Sequence, residues 1–250
     1  MELTVLGTSG AYPGPGRAAS GYLVRHDGYS IALDLGTGSL SNLQLHIPHA
    51  ELDAVVISHE HIDHCVDLYP LWMARYFHPE PLPPLPMVSP KGVFDRVAKL
   101  QEEADDAEDM RRRFDIREVE PGTSFELGPF QISTRLMPHW VPNMGMRIEA
   151  DGSVLAYTGD TGPSEQIEAL GRDADLLVTE ASWLDGQDTR PYHVTARQAA
   201  TYAARGGSKR LMLSHFWPTN DREPYREQAA EAFDGDIVLA EEGMAIEVGG

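Results

Sequence analysis

The stretch Ala54-Val55-Val56-Ile57-Ser58-His59-Glu60-His61-Ile62-Asp63-His64 decides how this chain is read. Its four leading apolar residues form a short run of the kind a buried strand makes. Directly after them, three histidines and one aspartate fall within the six positions 59–64. Imidazoles and a carboxylate gathered at a strand end predict a metal site. Four donors so close in sequence cannot all bind one ion without strain, but they can be divided between two. His59 and His61 point the same way on an extended turn, whereas Asp63 and His64 sit just past them at the start of a helix and face a neighbouring ion.

Outward from this stretch, the N-terminal third alternates short apolar runs with glycine and proline. Strands are expected over 3–6, 21–25 and 30–35, with a Gly/Ser/Pro-rich loop over 7–20. Beyond the histidines, residues 66–77 carry apolar side chains at helical spacing, and 79–86 is a proline-rich break. Helices are expected over 93–101 and 105–112, and the acidic run 102–109 reads as a solvated helix face or loop. Strands follow over 125–127, 131–137, 144–149 and 154–158. The remainder alternates: helix 164–170, strand 176–179, helix 195–205, strand 210–214, helix 223–233 and strand 237–239. Neither a repeat nor a linker interrupts the chain. Strands grouped at both ends, with helices able to cover the outer faces, predict two packed sheets in one mixed α and β domain over residues 1–250.

Composition narrows the function. A chain of 250 residues, 42% hydrophobic, is long enough for one full core and short for two. No stretch approaches the ~18 apolar residues of a membrane span, and no basic and apolar leader precedes the first strand. A soluble, cytoplasmic protein is therefore expected, and the single cysteine, Cys65, fits a reducing compartment as a buried small side chain. With 39 acidic against 20 basic residues the net charge is −19, the reverse of what a groove tracking phosphates requires. Long nucleic acid is thus a poor substrate. A small anion is not excluded, because divalent ions are strong local positive charges.

Further donors stand at strand ends: His139 after 131–137, Asp160 after 154–158, and His215 after 210–214. Rigid elements ending in donors can aim them at a common point. Asp34, closing the strand over 30–35, is a candidate to orient ligand imidazoles or else an ordinary turn aspartate. The strand Leu176-Leu177-Val178-Thr179 ends in Glu180, and His193 stands just before the helix at 195.

The motif His59-Glu60-His61-Ile62-Asp63-His64 resembles the HxHxDH signature of the metallo-β-lactamase superfamily, whose hydrolases mostly hold two metals. That resemblance implies an α+β fold, the four-layer αββα sandwich. It implies that one ion takes His59, His61 and His139, that the other takes Asp63, His64 and His215, and that Asp160 bridges them. The thiolate-free set suits two Zn²⁺, with Mn²⁺ as the alternative. Glu180 and His193 resemble the Glu and His pair of the phosphodiesterase branch, which includes the ribonuclease Z enzymes. There the Glu orients the His and the His handles the leaving-group proton, so Asp63, Glu180 and His193 are the candidate catalytic residues. Only 20 residues separate His139 from Asp160, where ribonuclease Z inserts its tRNA-clamping arm. With the opening Leu6-Gly7-Thr8-Ser9-Gly10 and the pair Arg17 with Ser20, the chain is similar to small bacterial members, some of them class II-like cyclic nucleotide phosphodiesterases. A homodimer is implied only by that similarity.

The function expected is hydrolysis of a small phosphodiester, 3′,5′-cyclic AMP first, by a hydroxide shared between ions ~3.5–4 Å apart. Amides of residues 7–10, or Arg17, would add charge stabilisation. Trp140, Trp183 and Trp217, each one to three positions past a proposed site residue, could stack on a base, although core packing is the commoner role of a tryptophan. The alternatives are a lactonase, a thioesterase or a short-RNA nuclease on the same scaffold, a module with structural metals, or an iron-dependent oxygenase.

Overall fold

The computed structural model describes residues 1–101, 104–187 and 190–249. Its first sheet contains β1 (Glu2–Gly7), β2 (Gly21–His26), β3 (Tyr29–Leu35), β4 (Ala54–Val56), β5 (Leu85–Ser89) and β6 (Phe114–Glu118). The second contains β7 (Ser124–Leu127), β8 (Phe130–Met137), β9 (Asn143–Ala150), β10 (Ser153–Tyr157), β11 (Leu176–Glu180), β12 (Arg210–Ser214) and β13 (Asp236–Leu239). The last strand, β14 (Ala245–Glu247), returns to pair with β1. Strand orders are β14-β1-β2-β3-β4-β5-β6 and β13-β12-β11-β10-β9-β8-β7.

Alternation along the strands sorts side chains into two cores. Tyr22 and Val24, Ile31 and Leu33, and Ala54 and Val56 pack against the second sheet. Leu23, Ala32 and Val55, one position out of phase, face the opposite way. There they meet α1 (Ser39–Leu43), α3 (Leu68–Tyr76), α4 (Val93–Ala98) and α5 (Ala104–Arg112), with the short α2 (Ile62–Cys65) ahead of α3. The second sheet is covered by α6 (Glu165–Leu170), α7 (Ala196–Gly206) and α8 (Glu223–Ala230). Helices, sheet, sheet, helices make the expected four layers. Among the described residues no helix is long and apolar enough to cross a membrane.

Several elements differ from the sequence reading. The helix expected over 66–77 is α3, preceded by the separate short α2, and Pro70 is accommodated in the first turn of α3, where an N–H has no intrahelical partner anyway. The proline-rich break over 79–86 yields to β5 at Leu85, so Pro86 lies within a strand. Leu85 N–H turns toward β6, so the nitrogen of Pro86 turns toward β4, whose pairing begins one residue later at Val55 with Met87, and neither ladder loses a donor. Strands β6 and β14 and helix α1 escaped the pattern because each is short and partly polar. Glu102 and Glu103 of the acidic run lie outside the described residues, and the rest of the run belongs to α5.

In each sheet some neighbours run parallel: β3 through β6, and β10 through β13. The C-terminal ends of β3, β4, β8, β10, β11 and β12 gather at one rim of the sandwich. Ligand sites of α/β sheets lie outside such strand ends.

Candidate metal centre

That rim collects Asp34 from the end of β3, His59 beyond β4, His139 beyond β8, Asp160 beyond β10, Glu180 closing β11 and His215 beyond β12. His61 is the N-cap of α2, and Asp63 and His64 lie in its single turn. All seven proposed ligands thus come together, in two groups that share Asp160. In the first, His59 Nε2 is 2.9 Å and His139 Nε2 3.1 Å from His61 Nδ1. Asp160 Oδ2 lies 3.7 Å from His59 Nε2 and 3.8 Å from His139 Nε2. In the second, Asp160 Oδ1 is 3.1 Å from His64 Nε2 and 3.2 Å from His215 Nε2. Asp63 Oδ2 completes it, 3.3 Å from His215 Nε2 and 3.7 Å from His64 Nε2. Each oxygen of Asp160 serves a different group.

Which ring nitrogen faces the centre follows from the hydrogen bonds behind it. A carboxylate only accepts, so the Ser58 hydroxyl, 2.7 Å from Asp34 Oδ2, donates to it. Ser58 Oγ must then accept from His59 Nδ1 at 2.9 Å, which leaves Nε2 bare. Asp34 also takes the hydrogen of His64 Nδ1 at 2.7 Å, the Tyr157 hydroxyl at 2.6 Å and the Ser58 amide at 2.6 Å. His139 Nδ1 donates to the Tyr192 carbonyl at 3.1 Å. Asp34 is therefore an orienting carboxylate and not a mere turn residue. It is fully buried and held at φ +57°, and His215 stands at φ +54°. Two non-glycine residues in this sparsely populated region at one rim mark local strain of the kind functional sites keep.

Two glycines are required by close approach. A Cβ on Gly36 would sit 1.8 Å from the Asp63 carbonyl oxygen, and one on Gly10 2.7 Å from His215 Nδ1. The glycine-rich loop does not offer amides to a substrate as the sequence suggested. Thr8 and Ser9 N–H bond to the Ala18 carbonyl and Gly10 N–H to the Phe216 carbonyl, while Ala11 N–H holds Asp63 Oδ2 at 2.7 Å. Neither Arg17 nor Ser20 lines the cavity over the centre.

Electrostatics divides the groups. Burial and the adjacent His64 push His59 well below the usual histidine range. Burial brings His61 down to about 4 and lowers His139 as well, so these rings are neutral donors. Burial opposes charge on His64, yet Asp160, Asp63 and Asp34 outweigh it and raise its pKa well above the ordinary value. Burial would likewise neutralise Asp63 and Asp160, but the histidines around them hold both well below the carboxylate range. His64 Nε2 and Asp160 Oδ1 are nevertheless buried without a hydrogen-bond partner. Facing lone pairs, two orphaned atoms and an imidazole and carboxylate donor set fit divalent cations.

Glu180 and His193 also meet. His193 Nδ1 is 2.9 Å from Oε1 and 3.1 Å from Oε2 of the buried Glu180, which also accepts Thr161 N–H at 2.6 Å. Burial disfavours the imidazolium, but the Glu180 charge and hydrogen bond prevail and lift His193 to about 9. A ring nitrogen of His193 lies within 4.8 Å of ligand atoms of Asp160 and His215. Sequence reasoning missed Ser182, whose hydroxyl lies 2.7 Å from Glu180 Oε2 and 2.9 Å from His215 Nδ1. The available signal was its place two residues after Glu180, the spacing at which side chains share a face if a strand's alternation carries on. Tyr157 and Ser58 were equally overlooked.

Over the centre is a cavity of about 230 Å³ walled by Trp140, Trp183 and Trp217. None of the three is a core residue, contrary to the commoner expectation. Trp183 and Trp217 stack on each other with centroids 5.0 Å apart, and Trp140 is 61% exposed beside Tyr192. Trp140 also borders a separate groove of about 1020 Å³ along β8. Cys65 is buried, its Sγ 3.6 Å from the Glu60 carbonyl, and takes no part in the centre. The proline-rich segment lines neither cavity.

Comparison with known proteins gives this arrangement its context. A beta-lactamase superfamily domain matches residues 31–216. An uncharacterized protein of Mycobacterium leprae is 34% identical over 99% of this chain and 89% of its own length. A probable metallo-hydrolase of Bacillus subtilis, YhfI, is 30% identical over 99% of this chain and 100% of its own. The crystal structure of YhfI, a metallo-beta-lactamase fold protein, superposes with a TM-score of 0.88 over 98% of both chains at 28% identity. A ribonuclease Z of Mycolicibacterium paratuberculosis is 29% identical over 99% of this chain and 98% of its own.

Proposed function

Because this chain belongs to the beta-lactamase superfamily and is a metallo-hydrolase of that fold, we propose that it hydrolyses small phosphodiesters, with 3′,5′-cyclic AMP the first candidate. The observation that carries this reading is the pair of His193 and Glu180 beside the histidine and aspartate cluster. An alkoxide leaving a phosphodiester needs a proton, and a histidine at about 9 is protonated at neutral pH. A thioester, whose thiolate leaves without a proton, needs no such acid.

His59, His61, His139 and Asp160 would hold one divalent ion, and Asp63, His64 and His215 a second, with the other oxygen of Asp160 beside them, zinc or manganese in kind. When bound, the ions supply Lewis acidity toward phosphate oxygens and a water acidic enough to attack near neutral pH. Asp34 and Ser58 keep the ring nitrogens aimed at the centre. As the P–O3′ bond breaks, His193 passes its proton to the departing oxygen and Glu180 holds the ring in place. The tryptophan walls offer faces for a base.

The cavity of about 230 Å³ is below the ~300–1,000 Å³ of most ligand pockets, which favours a compact substrate with its outer part against Trp140. The net charge of −19 disfavours long nucleic acid, whereas bound cations would reverse the field locally. The proposed unit is one domain over residues 1–250 acting in the cytoplasm. A second reading, a nuclease of short RNA, draws on the ribonuclease Z relative and on the separate groove that Trp140 also borders.

The test is incubation of metal-quantified protein with 3′,5′-cyclic AMP beside bis(p-nitrophenyl) phosphate, with products resolved chromatographically. Conversion to 5′-AMP that ceases in Asp160→Ala supports the reading. Hydrolysis of lactones or thioesters with no turnover of either diester overturns it.

A further inference from the structure

Glu180 is buried at the end of β11, and Ala181 N–H, just before Ser182, still bonds to the Ser214 carbonyl of β12. Ser182 Oγ is 2.7 Å from Glu180 Oε2, so its hydrogen goes to that carboxylate, which has none to give. The oxygen must therefore accept from His215 Nδ1 at 2.9 Å, and His215 is left with a bare Nε2 facing Asp63 and Asp160. The same hydroxyl fixes the second oxygen of the carboxylate whose other oxygen holds His193 at 2.9 Å. His193 Nδ1 itself lies 3.4 Å from Ser182 Oγ. A bond from the Tyr225 hydroxyl to the Ser182 carbonyl, 3.2 Å, and from Ser182 N–H toward Glu180 keep the backbone in register.

We propose that Ser182 is a positioning residue that sets two parts of the centre with one hydroxyl: the tautomer of the ligand His215 and the carboxylate that orients the leaving-group acid His193. It is the counterpart, on the second sheet, of Ser58 between Asp34 and His59 on the first. The two relays differ in what their carboxylates do besides. Asp34 serves only ligands and their supports, whereas Glu180 serves the acid. Ser182 thus couples assembly of the Asp63, His64 and His215 group to readiness of the acid. The acid half of this inference rests on the phosphodiesterase reading. The ligand half does not.

The test compares wild type, Ser182→Ala and Ser182→Thr by ion stoichiometry under chelator competition and by turnover of two diesters. Removing a partner that orients a ligand histidine costs ~10–100-fold in ion affinity. Ser182→Ala is expected to retain one ion at wild-type affinity and to hold the other ~10–100-fold more weakly. At saturating metal it should lose more turnover on cyclic AMP, which has a poor leaving group, than on bis(p-nitrophenyl) phosphate. Ser182→Thr keeps a hydroxyl and should restore both properties. Binding of both ions at wild-type affinity by Ser182→Ala, or equal weakening of both, overturns the ligand half. An unchanged ratio of the two turnovers overturns the acid half. If the wild type cleaves neither diester, the phosphodiesterase reading and the acid half fall together, and the ion measurements still decide the ligand half. If Ser182→Ala does not fold, a wild-type result from Ser182→Thr supports the proposal and one-ion binding by it opposes it.

Discussion

Replacing Asp34 by asparagine isolates the orienting role of one buried carboxylate. Asparagine tolerates the left-handed backbone at φ +57° at least as well as aspartate, so backbone strain is not what changes. Oδ2 accepts from Ser58 Oγ, His64 Nδ1 and Tyr157 Oη, and Oδ1 accepts the Ser58 amide. The new amide best keeps its oxygen toward the three donors and turns its NH₂ toward the Ser58 N–H. One buried donor is then left facing another, at ~1–3 kcal/mol, and three bonds lose the help of a full charge at ~1 kcal/mol each. Against this, a carboxylate no longer has to be buried, which returns part of the loss. A net destabilisation of ~2–4 kcal/mol is expected in denaturant unfolding of the metal-free protein. With His64 and His59 less firmly aimed, ion affinity should fall ~10–100-fold. Chelator competition against a metal indicator measures the second effect on the population that remains folded. Asp34→Asn protein that is folded and binds both ions within twofold of wild type would refute the orienting role.

Two further predictions concern His193 and Trp140. The folded-state pKa of His193 is raised from 6.5 to about 9, so its charged form and its ion pair with Glu180 are complete below 6.5 and lost as pH rises through about 9. The alkaline limb of cyclic AMP turnover should therefore begin near about 9 and fall about tenfold per pH unit above it, and it should be missing in His193→Ala; an alkaline limb unchanged by that substitution would exclude His193 as the acid. The indole N–H of Trp140, which only donates, meets His61 Nε2 at 2.5 Å, yet His61 can offer Nδ1 to an ion only with its hydrogen on Nε2. Loading should turn this 61% exposed ring away and change tryptophan emission in step with metal; Trp140→Phe should abolish that change and bind the first ion ~5-fold more tightly, the equivalent of ~1 kcal/mol, whereas a flat wild-type titration would dismiss the conflict.

The sequence by itself determined the candidate donor set. The run from His59 to His64 after an apolar strand, and His139, Asp160 and His215 at three later strand ends, were legible because chemistry-bearing residues at strand ends are a local pattern. The alternation that splits Tyr22 and Val24 from Leu23 was legible for the same reason, and with it two sheets with covered faces. Only the tertiary structure decided which oxygen of Asp160 meets which histidines, since that depends on how the ends of β4, β8, β10 and β12 converge across two sheets. It alone revealed that Asp34 orients His64, 30 residues away, and joins Tyr157, 123 residues away. It also assigned the tryptophans to the cavity wall and the loop amides to Asp63 and backbone carbonyls. A ligand is named by its chemistry, which a sequence carries residue by residue. The partner behind it is set by hydrogen bonds that extend only ~3 Å, and folding alone brings distant segments that close.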